Sequence, residues 1–319
     1  MATPPTNESI DQHRSTPQSN LLPPLNKGTI QRAYYGVNVA SNPLVQESIR
    51  AAFAEVANLI RDIQDRHINS SLRRFLLRLL SHSLFNIHVE NPEFIPHKSC
   101  ILAPNHLNDL DTILILGEIL AHPFFYILGN GRRMFDRAWK CQLLKLAGGV
   151  IPLALLWKEE LAVLEGAKAG RADLKKLATQ IEQYIPVVNS YSAMRELDKL
   201  IHAILAQDNA LLIFPEGRTG FTEGQLLPLK RGVAIYAMRA GVPIVPVGLI
   251  GTHDLWFRKK VTIRFGKPII VPQNTRPKPN EVKVVIEELE NQLYGLLPHD
   301  YHEPSGPRLF RNFINHIFW

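Results

Sequence analysis

The sequence predicts an α/β fold: a mixed, mostly parallel sheet flanked by helices and preceded by an N-terminal helical segment. Three observations predict it. Short apolar runs bounded by Gly, Pro, Asn or His recur through the middle of the chain, as buried strands do. Helical stretches lie between most of them, and strands alternating with helices build a sheet covered on both faces. Ahead of these runs, apolar residues fall at spacings of three and four, the period of a helix.

Taken in chain order, residues 1–28 are rich in Pro, Ser, Thr, Asn and Gln and poor in large apolar side chains, so disorder is expected there. Residues 29–85 form the helical segment. From Pro43 onward, Ile49, Phe53, Val56, Leu59, Ile60 and Ile63 make one apolar stripe. A second helix, 72–85, is apolar on most sides, with Arg73, Arg74 and Arg78 for contrast. It is expected to pack on the core, or to set its arginines against an anionic surface. Residues 86–275 form the α/β domain, with strands at 86–89, 100–103, 124–128, 210–214, 244–249 and 261–265, and helices at 111–120 and 230–239. The stretch 155–205 reads as a solvated helical insert, since positions 158–182 hold five basic and five acidic residues. Residues 276–319 complete the chain as a helical tail.

A length of 319 residues corresponds to about two domains at roughly 150 residues each. With 45% hydrophobic and 20% charged residues, the chain has enough apolar material for a core, which excludes a wholly disordered or fibrous protein. A net charge of +7 suits an anionic partner without choosing among nucleic acid, acidic lipid and phosphorylated substrate. Cys100 and Cys141 form no C-x-x-C pair, which fits a reducing compartment. The longest unbroken apolar run, 146–157, has 12 residues, against the ~18–20 of a spanning helix. Glu8 and Asp11 replace the apolar stretch of a secretory signal. The expected location is cytoplasmic, peripheral on a membrane.

Two segments have the makings of chemistry. The first, Pro104-Asn105-His106-Leu107-Asn108-Asp109-Leu110-Asp111, runs from an apolar strand through a polar turn into a helix. Asp111 stands where a helix N-cap is favoured. Alternatively it is the partner of His106: a carboxylate on Nδ1–H fixes the tautomer and leaves Nε2 to accept a proton. The second, Leu212-Ile213-Phe214-Pro215-Glu216-Gly217-Arg218-Thr219-Gly220, is again a strand running into a Gly-bearing loop. Ligands in open α/β sheets collect at such strand ends. Gly217 and Gly220 permit close backbone approach, and Arg218 offers a planar fork for phosphate or carboxylate. The bland reading is an ordinary turn with a surface Glu–Arg pair. There is no G-x-S-x-G elbow, P-loop, G-x-G-x-x-G fingerprint or three-ligand metal spacing.

Asn105-His106 with Asp111 resembles the N-H-x-x-x-x-D signature of the glycerolipid acyltransferases, the 1-acylglycerol-3-phosphate acyltransferase superfamily. Phe214-Pro215-Glu216-Gly217 resembles its second hallmark, and the Pro-containing run 242–247 a later strand. The likeness spans roughly residues 85–270. It implies a catalytic His–Asp dyad, His106 and Asp111, and a glycerol-phosphate site drawing on Asn105, Glu216, Gly217, Arg218, Thr219 and Lys230. Two departures stand out. The family's Glu-Gly-Thr-Arg order is here Glu216-Gly217-Arg218-Thr219. The strand between the hallmarks, at 149–153 or alternatively 184–189, lacks its usual following basic residue, a contact that Lys230 or Arg231 is expected to replace.

The resemblance implies an O-acyltransferase of phospholipid biosynthesis. It would move a fatty acyl group from acyl-CoA or acyl-carrier protein to lysophosphatidate, giving phosphatidate, with no cofactor and no metal. Glycerol 3-phosphate or another lysolipid is the alternative acceptor, and a non-catalytic membrane-surface binding protein the alternative class. A nucleic-acid partner is not expected, because no strand platform interleaves basic residues with aromatics. Three basic features remain as anion contacts: Arg132, Arg133, Arg137, Lys140 and Lys145; Arg258-Lys259-Lys260; and the tail 308–319. In that tail Leu309, Phe310, Phe313, Ile314, Ile317 and Phe318 make an apolar face with Arg308 and Arg311 off it. Such a helix either lies in a membrane interface or docks on the protein's own core.

Overall fold

The computed structural model describes residues 22–61, 70–153, 156–185 and 191–317. These fall into two compact units, Met1–Asn38 with Leu156–Ile185, and Val39–Leu155 with Pro186–Trp319. The expected disorder over 1–28 lies, for residues 1–21, outside the described residues; Lys27 and Gly28 already belong to the first helix, α1 (Lys27–Ser41).

The smaller unit combines the start of α1 with α7 (Lys158–Lys168), a 3-10 turn (Ala172–Leu174) and α8 (Lys175–Tyr184). Ala33, Val37, Val163, Leu177 and Ile181 are buried in it. The Glu160 carboxylate accepts the Trp157 N–H at 2.7 Å, satisfying an otherwise orphan donor at the helix start.

The larger unit is the α/β body. Its helices are α2 (Pro43–Arg61), α3 (Ser70–Leu84), α4 (Asp111–Glu118), α5 (Gly131–Phe135), α6 (Ala138–Ala147), α9 (Tyr191–Ala206), α10 (Gly232–Ala240), α11 (Pro279–Leu296) and α12 (Arg311–His316). Its strands are β1 (Asn86–Glu90), β2 (Ile101–Pro104), β3 (Phe125–Asn130), β4 (Val150–Leu153), β5 (Ala210–Leu212), β6 (Ile244–Ile250) and β7 (Lys260–Phe265). They form one sheet in the order β1-β7-β6-β2-β5-β3-β4, parallel throughout except for the β6–β7 pair. A mixed, mostly parallel sheet is thus the architecture.

Side chains alternate between the faces of a strand, and both faces are covered. Ile101, Ala103, Tyr126, Leu211 and Ile244 join one core cluster with residues of α9, α10 and α11. Cys100, Leu102, Phe125, Leu212 and Val245 join the other, with Leu114 and Ile115 of α4. Burial also pushes the Cys100 thiol up to about 12, so it behaves as a small apolar side chain.

Several expectations change here. The stretch 155–205 is not one solvated insert: α9 buries Leu200, Ile201, Ile204 and Leu205 in the core, because its apolar residues repeat at helical spacing. Of the two candidates for the strand before the second hallmark, 149–153 holds β4; of the other, Tyr184 ends α8 and 186–190 lie outside the described residues. The segment from 276 is not all tail, since Val282, Val285, Leu289 and Leu293 of α11 belong to the same core.

Helix α3 inverts the usual distribution. Arg73 is buried with its guanidinium 3.9 Å from the Phe124 ring centroid, and burial lowers its pKa to about 10. Leu72, Phe75, Leu76, Leu79 and Leu80 are exposed. The inner side of α3 lies close against α4: a Cβ on Gly117 would sit 3.1 Å from the Arg78 backbone, a tight contact that glycine avoids.

Candidate active site

The two polar loops leave adjacent parallel strands, β2 and β5, at the same edge of the sheet. The first is organised by one carboxylate. Asp111 Oδ2 accepts the backbone N–H of Leu107 at 2.7 Å and of Asn108 at 2.8 Å, and lies 3.0 Å from His106 Nδ1. Asp111 itself is fully buried. Its placement corrects the capping expectation: Leu110 is the N-cap residue of α4, and the Asp111 side chain reaches backwards to the turn instead of forward to the helix amides. That backward reach serves the imidazole. An ionised acceptor makes Nδ1 the protonated nitrogen, and Nε2 then has a free lone pair. Among the described residues Nε2 has no hydrogen-bond partner, and the side chain keeps a small opening to solvent.

The imidazole is also held by its face. The Phe214 ring stacks on it with centroids 4.0 Å apart and planes 28° from parallel. The sequence shows Phe214 as the first residue of the Phe-Pro-Glu-Gly hallmark; its contact with His106 is tertiary.

The second loop locks onto the first. Glu216 is buried, and its two carboxylate oxygens accept the N–H of His106 at 2.9 Å and of Leu227 at 2.8 Å. Burial pushes its pKa up to about 7, while the two N–H bonds act in the opposite direction. Gly220 donates its N–H to the His106 carbonyl at 2.6 Å. A Cβ there would lie 3.3 Å from that same carbonyl oxygen. Gly217, at φ +68°, makes the left-handed turn that returns the chain. The stem of Lys230 runs beside Gly217, and the Lys230 N–H closes the loop onto the Pro215 carbonyl at 2.7 Å.

The expected substrate-binding residues therefore divide. Asn105 is fully buried, and its amide exchanges two hydrogen bonds with the Leu249 backbone, at 2.6 and 3.0 Å, tying the turn to β6. The polar atoms of Asn105 and Glu216 thus serve the protein's own backbone. Arg218 and Thr219 are half-buried and Lys230 is exposed. Among the described residues, neither the Arg218 guanidinium nor the Lys230 ammonium has a carboxylate partner. They are the cations this loop presents.

Other basic features are used internally. Lys259, 2% exposed, donates to the Asp254 carbonyl at 2.7 Å and pairs with Glu303 at 2.8 Å. Lys140 pairs with Asp136 at 2.7 Å, and both side chains are buried. Arg133 reaches Asp109 of the His106 turn at 3.4 Å. A further brace is purely tertiary: Asn315 Oδ1 accepts from the Asn108 amide at 3.1 Å across 207 residues of chain.

The chain is similar to several known proteins. A 1-acyl-sn-glycerol-3-phosphate acyltransferase of Cocos nucifera is 35% identical over 82 residues, 26% of this chain and 26% of that protein. A 1-acyl-sn-glycerol-3-phosphate acyltransferase of Limnanthes douglasii is 30% identical over 119 residues, 37% of this chain and 40% of that protein. The matched part is thus well under half of either relative's length. The crystal structure of the 1-acyl-sn-glycerophosphate (LPA) acyltransferase PlsC from Thermotoga maritima aligns with a TM-score of 0.40 at 17% identity, over 84% of this chain and 97% of that one. The family described as Acyltransferase matches residues 86–250, a span that holds more than half of the chain and both loops. On that match the chain belongs to the acyltransferase family.

Proposed function

We propose that this protein transfers a fatty acyl group from a thioester, acyl-CoA or acyl-carrier protein, to the free hydroxyl of lysophosphatidate, forming phosphatidate. The observation that carries the reading is the buried Asp111 carboxylate 3.0 Å from His106 Nδ1, at a strand end where the second loop is bonded to the same turn. His106 Nε2 takes the proton of the acceptor hydroxyl as its oxygen attacks the thioester carbonyl. Asp111 stabilises the imidazolium so formed. Collapse of the tetrahedral intermediate breaks the C–S bond, and the imidazolium returns the proton to the departing thiolate. General-base assistance of this kind is worth about 10²–10⁴-fold. The acceptor's phosphate is met by Arg218, with Lys230 or Arg231 in the place of the family's missing basic residue. A guanidinium suits this task, because its planar fork matches phosphate oxygens in pairs.

The test offers purified protein labelled acyl-CoA and acyl-carrier protein against lysophosphatidate and glycerol 3-phosphate, with chromatographic separation of products. Phosphatidate is the expected product. His106→Ala is expected to lower kcat by at least about 10²-fold with an unchanged melting curve, since the ring is not part of the core. Full turnover by a folded His106→Ala protein would remove the dyad from the mechanism. Acylation of glycerol 3-phosphate alone would move the acceptor assignment and leave the chemistry standing.

A further inference from the structure

A recess outside the two loops has the chemistry of a ligand site. Its volume is about 380 Å³, and it is lined by Arg308, Phe310, Arg311, Asn312 and Phe313. That volume lies in the usual range of small-molecule sites. Phe310 and Phe313 are each 66% exposed, so their rings are open to a ligand. The Phe257 ring steadies Phe310 edge to face, with centroids 6.1 Å apart.

The arginines of the recess are fixed in direction. Asp254 accepts from Arg308 Nη1 at 3.1 Å and from Arg311 Nε at 2.8 and 2.9 Å. The Arg308 guanidinium also lies 4.9 Å from the Trp256 ring centroid. Asp254 is mostly covered and is held in turn by the Asn315 amide at 3.2 Å. One carboxylate thus orients two guanidinium groups and balances one of their two charges. Both terminal nitrogens of Arg311 have no hydrogen-bond partner among the described residues. A guanidinium aimed in advance, with donors to spare, matches phosphate oxygens.

The combination selects the ligand. Phosphate donors beside flat rings suit a nucleotide, whose base has a π-face to stack while its phosphates meet the arginines. The Asn312 amide adds a donor and an acceptor of the kind a base edge can pair with. The recess is also tied to the candidate active site. Asn315, three residues beyond Asn312 in α12, accepts from the Asn108 amide at 3.1 Å, and Asn108 is two residues from His106.

We propose that this recess binds the nucleotide end of an acyl-CoA donor, with Arg308 and Arg311 on its phosphates and the Phe310 and Phe313 rings against its base. The inference rests on the functional reading above for the donor's role and chooses CoA over the carrier protein. Calorimetric titration of the full chain measures binding of CoA, adenosine 3′,5′-bisphosphate and pantetheine. The first two are expected to bind, and pantetheine, which has no nucleotide, far more weakly. In Arg311→Gln/Phe313→Ala the Kd for CoA is expected to rise at least about tenfold, since a charge-assisted hydrogen bond and a stacked base are each worth a factor of that order. The KM for acyl-CoA is expected to rise by the same factor at constant kcat, and the KM for acyl-pantetheine to stay at the wild-type value. If the double variant melts early, Phe313→Ala alone serves as the test, because that ring lies outside the core. A wild type that binds no CoA overturns the proposal, as does a folded variant with an unchanged Kd. Equal rises in KM for acyl-CoA and acyl-pantetheine overturn it too, and make the two residues supports of the tail. Tight CoA binding without acyl transfer from any donor would instead fail the functional reading and leave this site standing.

Discussion

At the scale of single residues, the site separates groups that act from groups that hold. His106 is held from three sides: Asp111 on its nitrogen, Phe214 on its face and Glu216 on its backbone N–H. Each contact removes a rotation that a catalytic imidazole would otherwise have to freeze during the reaction. Arg218 stands apart. Without a carboxylate partner among the described residues, it has its charge free for a phosphate. Arg218→Ala is expected to raise KM for the phosphorylated acceptor about tenfold or more, the worth of a charge-assisted hydrogen bond. The KM for the acyl donor is expected to move little, and Lys should restore only part of the loss. Steady-state kinetics with each substrate varied in turn decides the matter. Equal changes in both constants would make Arg218 a support of its loop.

At the scale of elements, the short C-terminal helix α12 is two-sided. The sequence offered an interfacial anchor or a helix docked on the core, and in the structure part of its apolar face is buried while part is exposed. Ile314 is in the core cluster, while Phe310 and Phe313 face outward. Asn315 makes the junction. Its Oδ1 accepts from Asn108 and from the Leu255 N–H at 2.9 Å, and its amide donates to the Leu255 carbonyl at 2.8 Å. Asn108 in turn donates its N–H to Asp111 Oδ2, so Asn315 acts on the dyad through one intervening residue. Asn315→Leu is expected to lower kcat several-fold with little change in either KM, on soluble and bilayer acceptors alike. It should also cost about 1–3 kcal/mol of stability, because buried partners lose their hydrogen bonds. Kinetics beside denaturant titration distinguishes this from plain unfolding: a stability loss with unchanged kcat would make Asn315 a structural residue only.

At the scale of the whole molecule, the proposed function depends on two loops that one sheet brings to a common edge, and their joint carries a titratable group. The Glu216 carboxyl is pushed up to about 7 from an ordinary 4.5 by burial. A carboxyl raised on folding binds its proton more tightly in the folded state. Its contribution to stability is therefore complete below pH 4.5 and declines as the pH rises through about 7. Denaturant midpoints measured across that window should fall with rising pH in the wild type. Glu216→Gln should flatten the slope. At the same time it should lower activity, since an amide has one acceptor oxygen for the two N–H groups of His106 and Leu227. Parallel slopes in the two proteins would place the pH dependence in another group.

Much of this protein was determined by sequence alone, and the reason is local. Strand and helix periods are written in consecutive residues, so the α/β class and the positions of β2, β5 and β6 could be read within a few residues. The motif around His106 is equally local: His106 and Asp111 are five apart, and a single turn brings them together. The strand's carboxyl end likewise fixed where the second loop must begin. What tertiary structure decided was the direction of side chains whose partners are remote. Asp111 fits the N-cap pattern, yet it turns back to the loop because His106, Leu107 and Asn108 offer it three donors. The resemblance implied Asn105 and Glu216 as parts of a glycerol-phosphate site; in the fold their polar atoms bond the Leu249, His106 and Leu227 backbones. The arginines of α3 were candidates for its outer face, but Arg73 lies under it, beside a ring 51 positions on, with the leucines outside. Periodicity shows that a helix has an apolar face. Which way that face points is set by the neighbours it meets, and those come from distant parts of the chain.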